Sequence, residues 1–272
     1  MINSDIRFSK QFWQKYIGQL EKLRIDYSNA AVRACNAGYD RPGHLKSPIT
    51  SFYYVQFAGF VDLFLQQKRD GLIVDWGGQF GQMTAYLDEL GYEAENYVID
   101  TVEEYKYFSH LVPRLKIGKS PVFIPYRDKS ALVLISCGVL EHVKESGSTE
   151  KESLKEIYRI LKPGGFFFIF LLPNKYSMLE FLYNILHIIF GRWHHLYKYS
   201  KKEIISLLES TGFEIIFYDR EEFLPKVNFR LSRIGGKILS PRILFKLDWF
   251  VSHLPILNIF AQHHIIVVRK SK

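Results

Sequence analysis

Cysteine is scarce in this sequence, and its scarcity excludes two classes of protein. Only Cys35 and Cys137 occur among 272 residues, about a hundred positions apart, with no CxxC pair and no cysteine–histidine metal spacing. Neither a disulfide framework nor a structural zinc site is therefore expected. A reducing, intracellular location is the simplest expectation that follows.

Long hydrophobic runs are also missing. The first residues, MINSDIRFSKQFWQKY, lack the apolar core of a signal peptide. The most apolar stretch, Met178–Phe190, is shorter than the roughly 18 residues that cross a bilayer, and it contains Glu180 and Asn184. The apolar share of 47% and the charged share of 24% are those of a globular protein, not of a disordered one. We expect a cytoplasmic protein that is soluble or peripheral to a membrane.

Acidic residues are nearly absent from the last part of the chain. From residue 226 to the end, nine lysines and arginines stand against one acid, Asp248, whereas the first 225 residues balance. The formal net charge of +8 therefore belongs to one segment. A basic segment on a neutral body argues against a protein that binds nucleic acid over its whole surface.

The pattern of apolar residues changes near Leu72. About 70 residues that read as helical are followed by short apolar runs alternating with amphipathic stretches, which is typical of a parallel sheet covered by helices. We predict an N-terminal helical cap over residues 1–70 and an α/β domain over residues 71–272 with a doubly wound, mostly parallel sheet. A segment of about forty residues, 223–262, is inserted before the last strand.

A glycine-rich turn follows the first predicted strand of the sheet, over the residues DWGGQFG from Asp75 to Gly81. Glycines allow backbone conformations closed to other residues and let a ligand approach the chain, although such turns also occur for tight packing alone. About 20 residues later the second strand ends in Asp100, whose carboxylate can accept hydrogen bonds from both ribose hydroxyls. Asp75 would repel a pyrophosphate and instead suits a ligand with an amino group. These residues predict a nucleoside cofactor that carries positive charge.

Three motifs in order carry a resemblance to a known family. They are DWGGQFG followed by YVID, then IPYRDKSALVLISCGVLEHV, then LKEIYRILKPGGFFFI. The chain resembles the class I S-adenosylmethionine-dependent methyltransferases over roughly residues 71–218 and the final strand, and it is most similar to the group that includes ubiquinone-pathway and sugar-pathway O-methyltransferases. The resemblance implies a Rossmann-like, seven-stranded sheet in the order 3-2-1-4-5-7-6 with strand 7 antiparallel, and S-adenosylmethionine as the cofactor.

The resemblance also implies which residues hold the cofactor. It places Asp75, Gly77 and Gly81 around the methionine portion and Asp100 on the ribose. The full predicted set is Asp75, Gly77, Gly78, Gln79, Gly81, Asp100 and Ser136. Gln79 replaces the middle glycine of the family pattern, and residues 118–120 supply no acid for the adenine edge. A non-catalytic binding or scaffold protein with this fold therefore stays open as an alternative.

Histidines supply the candidate catalytic groups. The fourth predicted strand runs into a segment that ends in Glu141 and His142, at the position where the family's substrate and cofactor meet, and the pKa of a histidine suits removal of a hydroxyl proton. His194 and His195 precede a helix whose predicted N-cap is Ser200. Adjacent side chains of an extended segment point in opposite directions, so only one of the two histidines can face a site. No metal site is predicted, because an i, i+4 histidine pair is missing.

The basic insertion offers a candidate contact surface. Arg230, Arg233 and Lys237 recur at helical spacing beside aliphatic residues and Trp249, as in a helix that lies on an anionic membrane. A lid packed on the domain or in a dimer is the alternative, and nucleic acid fits less well because the apolar residues are aliphatic. We predict O-methylation of a sugar, a lipid-linked glycan or an apolar small molecule, with RNA methylation as a further alternative and no prediction of oligomeric state.

Overall fold

The computed structural model describes residues 9–66, 68–190, 195–224 and 241–271. The α-helices of these ranges are α1 Lys10–Asn36, α2 Pro48–Leu65, α3 Gln82–Glu89, α4 Glu150–Ile160, α5 Met178–Phe190, α6 Lys201–Ser210 and α7 Pro241–Ser252. The strands are β1 Leu72–Trp76, β2 Ala94–Val98, β3 Leu115–Ile117, β4 Ala131–Cys137, β5 Leu161–Pro173, β6 Phe213–Glu221 and β7 His263–Lys270.

The strands form one sheet in the order β3-β2-β1-β4-β5-β7-β6. β1 pairs with β2, β2 with β3 and β4 with β5 in parallel, whereas β7 runs antiparallel to both β5 and β6. Helices connect the parallel strands, as the alternating pattern requires. The predicted fold class, strand order and antiparallel seventh strand are confirmed.

The chain divides into two compact units. The first contains Met1–Ile117 and Lys226–Phe245, and the second contains Gly118–Pro225 and Lys246–Lys272, in each case as far as the described residues extend. The predicted boundary of a helical cap near residue 70 stays a prediction. Residues 225–240, with the predicted basic stripe of Arg230, Arg233 and Lys237, lie outside the described residues.

In the first unit, α1 and α2 pack closely enough to require a glycine. A Cβ on Gly59 would lie 2.6 Å from Phe12 Cζ and 2.7 Å from Tyr16 Cδ2, so these α1 rings lie directly on the α2 backbone, where only a hydrogen fits. Beside this crossing, the buried Asp62 accepts hydrogen bonds from Lys15 Nζ (2.7 Å), Tyr16 OH (2.6 Å) and Tyr92 OH (2.6 Å). Burial alone would raise the pKa of Asp62, but these donors together lower it.

In the second unit, β4, β5 and β7 each contain a continuous apolar run, ALVLI, FFFIFLL and IIVV, as is typical of strands covered by helices on both faces. Reciprocal capping boxes begin the two helices that flank this half, Thr149 with Glu152 on α4 and Ser200 with Glu203 on α6. Among the described residues, no helix has the length and apolarity that crossing a membrane would need. The most apolar stretch of the sequence, Met178–Phe190, forms α5, which is 13 residues long.

Candidate functional site

Asp75, at the end of β1, is fully buried and only partly satisfied. Its Oδ2 accepts hydrogen bonds from Thr84 N (3.2 Å) and Thr84 Oγ1 (2.8 Å), at the start of α3. Its Oδ1 accepts none from the described residues. Burial raises the pKa of Asp75 to about 6, although the bonds from Thr84 oppose the shift. A buried acceptor without a donor is costly, so this oxygen is suited to receive a cationic donor from a ligand.

The turn after Asp75 depends on left-handed backbone conformations. Gly77 and Gly81 have φ values of 74° and 71°, and Gln79, the predicted departure from the family pattern, has a φ of 41°. Gln79 thus adopts the left-handed conformation that a glycine usually takes at such a turn, at a cost of about 1 kcal/mol. The side chain of Asn96 donates to Gln79 O at 3.1 Å and holds this conformation.

Gly78 is required for its small size. A Cβ on Gly78 would lie 2.3 Å from Asp75 Oδ2 and 2.5 Å from Asn96 Oδ1, closer than real Cβ atoms approach. Both side chains therefore converge on the backbone of Gly78. The turn thus brings two buried acceptor side chains together beside the backbone of Gly78.

Asn96 is a site residue that the sequence analysis missed. It lies fully buried on β2, and its Oδ1 has no hydrogen-bond partner among the described residues. The unsatisfied oxygens are Oδ1 of Asp75 and Oδ1 of Asn96, and they fit an ammonium group such as that of a methionine moiety. A polar amide at a buried position of β2, AENYV, was the sequence signal for it.

Asp100 and Ser136 each lie at the end of a strand. Asp100 is exposed and follows the end of β2 at Val98 by two residues. Ser136 is 1% exposed on β4, and its Oγ makes no hydrogen bond to the described residues. Both positions agree with the roles that the resemblance implied, which stay predictions.

His142 lies on the partly exposed turn after β4, and its Nδ1 is 2.9 Å from Glu145 Oε1. Glu141, the residue before it, is buried, its Oε2 has no hydrogen-bond partner among the described residues, and burial raises its pKa. The carboxylate that contacts His142 Nδ1 is thus that of Glu145.

The second unit holds a buried histidine–carboxylate pair. His195 Nδ1 lies 2.7 Å from Oε1 of Glu180, which is 1% exposed on α5. Lys198 Nζ lies 3.4 Å from Glu180 Oε2. Burial would raise the pKa of Glu180, but His195, Lys198 and His263 lower it to about 2. Because Glu180 is ionised, the proton of neutral His195 is on Nδ1 and Nε2 is the basic nitrogen.

Two further histidine rings lie close to His195. The His142 ring centroid is 6.3 Å from that of His195, and the His263 ring centroid is 6.2 Å from it at nearly a right angle. His263, expected to be a surface or packing residue, is buried with its Nδ1 2.8 Å from Glu222 Oε2. The structure thus brings together the two predicted catalytic histidines that it describes, His142 and His195. His194 lies outside the described residues.

Comparison with known proteins identifies the architecture. A family model described as a methyltransferase domain matches residues 74–169. A possible histamine N-methyltransferase from Thermotoga maritima, S-adenosylmethionine-dependent, has a TM-score of 0.51 at 13% identity, over 96% of this chain and 99% of that one. An S-adenosylmethionine-dependent methyltransferase from Methanosarcina mazei has a TM-score of 0.52 at 16% identity, over 77% and 96%. The fold is that of an S-adenosylmethionine-dependent methyltransferase.

A third methyltransferase fold was solved with ligands. The 1,6-didemethyltoxoflavin-N1-methyltransferase of Burkholderia thailandensis, with bound 1,6-didemethyltoxoflavin and S-adenosylhomocysteine, has a TM-score of 0.50 at 15% identity, over 79% of this chain and 76% of that one. No curated protein matches the chain. The matched domain and these structures support S-adenosylmethionine as the cofactor, and the acceptors at Asp75 and Asn96 fit its ammonium group.

The methyltransferase match contains Asp75, Asn96 and His142 but ends before Glu180 and His195. The histidine–carboxylate pair thus belongs to the part of the chain that the family model does not cover. Its sequence signal was present: Glu180 is the one acid in the apolar stretch MLEFLYNILHIIF. An acid on an apolar helix needs a buried partner, but the sequence does not say which one.

Two other groups are explained by packing. Asn174, after β5, is fully buried and donates to the carbonyls of Ile259 (2.9 Å) and Ala261 (2.8 Å), so it joins segments instead of facing a substrate. Asp219, Glu221 and His253 bring potential metal-ligating atoms within 4.8 Å of one another. His253 Nε2 is 3.1 Å from Asp219 Oδ2, and this ion pair accounts for the approach of β6 to the residue after α7.

Proposed function

We propose that this chain is a cytoplasmic S-adenosylmethionine-dependent methyltransferase that methylates a hydroxyl group of a sugar, a lipid-linked glycan or an apolar small molecule. The acceptor class rests on one observation, the buried pair of His195 and Glu180. A hydroxyl must lose its proton as its oxygen is methylated, whereas a neutral amine is already nucleophilic. A base fixed by a buried carboxylate suits the hydroxyl.

Bound S-adenosylmethionine would supply an electrophilic methyl group. Asp75 and Asn96 would accept hydrogen bonds from its ammonium group, and Asp100 would accept those of its ribose hydroxyls. The left-handed conformations of Gly77 and Gly81 shape the turn that its methionine portion would approach. The left-handed conformation of Gln79 supports cofactor binding over the scaffold alternative, because the turn keeps its shape without the missing glycine.

The proton chemistry belongs to His195. Its Nε2 would remove the acceptor's hydroxyl proton, and Glu180 would stabilise the imidazolium that forms. The side chain of Glu180 is suited to this because it stays ionised at any physiological pH, its pKa being lowered to about 2. His142 would adjoin the acceptor as a second polar contact.

Two measurements test the proposal. Titration calorimetry with S-adenosylhomocysteine should give binding to the wild-type chain and none to Asp75→Asn. Methyl transfer to a panel of glycosides and prenylated phenols, followed by mass spectrometry, should give a product heavier by one methyl group. His195→Ala should keep the binding and lose the transfer. Absence of heat and of a thermal shift at millimolar ligand would refute the cofactor assignment.

A further inference from the structure

Two neighbouring segments of the second unit expose large apolar side chains. One is the region of α5 and the turn before it, and the other runs from the middle of α7 to the start of β7. Their exposed members, from 36% to 75% accessible, are Tyr176, Met178, Phe181, Leu182, Ile185, Leu247, Phe250, Leu254, Ile256, Ile259 and Phe260. We call this set the apolar surface. Exposed apolar residues are usually scattered singly, and a group of this size marks a contact with something less polar than water.

Hydrogen bonds hold the two segments side by side. Asn174, at the end of β5, donates to the carbonyls of Ile259 and Ala261, and Gln262 Nε2 lies 3.5 Å from Glu180 Oε1 on α5. The side chains that form these bonds, those of Asn174, Gln262 and Glu180, are all buried near the carboxyl end of β5. The exposed apolar side chains therefore lie on two segments that are bonded to each other.

The acids of both segments are turned inward. Asp248, the only acid after residue 226, is fully buried and accepts hydrogen bonds from the backbone N–H groups of Phe223 and Leu224. Glu180, the only acid of α5, is buried against His195. Lys246, in contrast, is exposed on α7. No carboxylate of α5 or α7 thus opposes contact with a negative surface, and α7 carries the basic residues Arg242 and Lys246.

We propose that the apolar surface inserts into the headgroup–acyl boundary of an anionic lipid bilayer. Exposed Phe, Ile and Leu side chains supply the apolar burial that holds an interfacial helix, and the basic residues supply attraction to anionic headgroups. A second protein chain could also cover the apolar residues, but it would not explain why α5 and α7 expose no carboxylate. The inference rests on the proposed function in one respect. Glu180 lies on α5, which carries part of the apolar surface, and it contacts His195, the proposed base, so a lipid-linked hydroxyl at this surface would lie near the base.

Vesicle flotation tests this proposal directly. The full chain is mixed with phosphatidylcholine vesicles, with and without phosphatidylglycerol, at two salt concentrations. We expect flotation with the anionic vesicles that weakens as salt is raised, because screening reduces the attraction of basic residues. The double variant Phe250→Ser, Ile256→Ser should lower vesicle partitioning by about a hundredfold, roughly tenfold for each apolar side chain removed.

A matched control comes from the other end of the sheet. Phe123 is 70% exposed, and its neighbour Ile124 is hydrogen-bonded to Glu156 and Arg159 on α4, just before β5 begins. The 13 residues of β5 place it about 40 Å from the apolar surface. Phe123→Ser should float like the wild-type chain. Circular dichroism and S-adenosylhomocysteine binding show whether each variant is folded.

The outcomes separate this proposal from the methyltransferase assignment. Flotation of the wild type, its loss in the double variant and its survival in Phe123→Ser support the bilayer contact, whether or not the chain transfers a methyl group. Equal flotation of the double variant and the wild type overturns it. A wild-type chain that ignores both kinds of vesicle and sediments as a dimer, which the double variant converts to a monomer, also overturns it and assigns the surface to a second copy.

Discussion

Replacing Asp75 by Asn should remove cofactor binding and at the same time make the free protein more stable. The pKa of Asp75 is raised to about 6 from an ordinary 3.8, chiefly by burial, so the folded chain favours the protonated form. That difference corresponds to about 3 kcal/mol of stability lost at neutral pH. Asn keeps an acceptor for Thr84 but adds an N–H₂ group to be satisfied, which reduces the expected gain to about 1–3 kcal/mol.

The stability gained by Asp75→Asn should increase with pH. A group whose pKa is higher in the folded state binds more protons when folded, so the wild-type chain loses stability as the pH rises from about 4 through about 6. The advantage of Asp75→Asn should be complete at pH 7 and should disappear below about pH 4. Thermal melts at several pH values measure it, with a rise of several degrees expected at pH 7 for a chain of this length.

Asp62→Asn is the matched control, because it makes the same change at another buried aspartate of the same unit. Asp62 accepts three hydrogen bonds and its pKa is lowered, so its replacement should destabilise the chain by about 2 kcal/mol. S-adenosylhomocysteine should raise the melting temperature of Asp62→Asn and of the wild type but not of Asp75→Asn. If Asp75→Asn melts below the wild type at pH 7, or by the same margin at every pH, the account of Asp75 is wrong.

Three further substitutions test the packing and the base. Gly78→Ala puts a methyl group onto Asp75 and Asn96, so calorimetry should show binding of S-adenosylhomocysteine weakened at least tenfold; unchanged affinity would contradict the converging side chains. Glu180→Gln should leave that affinity intact and lower kcat by about 10²-fold, with the pH–rate profile displaced to lower pH because the imidazolium loses its stabilising carboxylate; a change in KM alone would argue against the base. Gly59→Ala should lower the free energy of unfolding, measured with denaturant, by about 1–3 kcal/mol, because α1 and α2 must separate. Gly18 lies on an exposed turn of α1 with open space around it, so Gly18→Ala should raise that free energy by about 0.5–1 kcal/mol.

Local patterns predicted the sheet well because each strand is defined by its own residues. The runs around β1, β2 and β4 are continuous and apolar, and helical spacing separates them, so their order followed from the resemblance to a known family. The residues KPGG before the aromatic run also belong to β5, because Gly164, with φ of 76°, lies where the pairing of β5 with β4 is irregular. A glycine pair in the sequence does not distinguish a turn from such an irregularity.

The candidate site likewise contains some residues that the sequence predicted and others that it did not. Asp75 and the glycines belong to one contiguous motif and were found by it. The partner of His195 was missed because Glu180 is 15 residues away on another helix, and Asn96 was missed because the amide that closes the turn comes from the next strand. Contacts between separate elements are set by packing, which a single sequence does not specify.

The contacts of Asn174 determine what its deamidation would do to this protein. Its amide donates to two backbone carbonyls and its Oδ1 accepts from Tyr176 N, so the joint between β5 and the segment before β7 depends on one side chain with both donors and an acceptor. Deamidation would convert the nitrogen to a carboxylate oxygen and turn two attractions into two oxygen–oxygen repulsions. Complete burial of the residue keeps water from the amide while the chain is folded. Each excursion to the unfolded state exposes it, so the lifetime of the joint is tied to the unfolding rate.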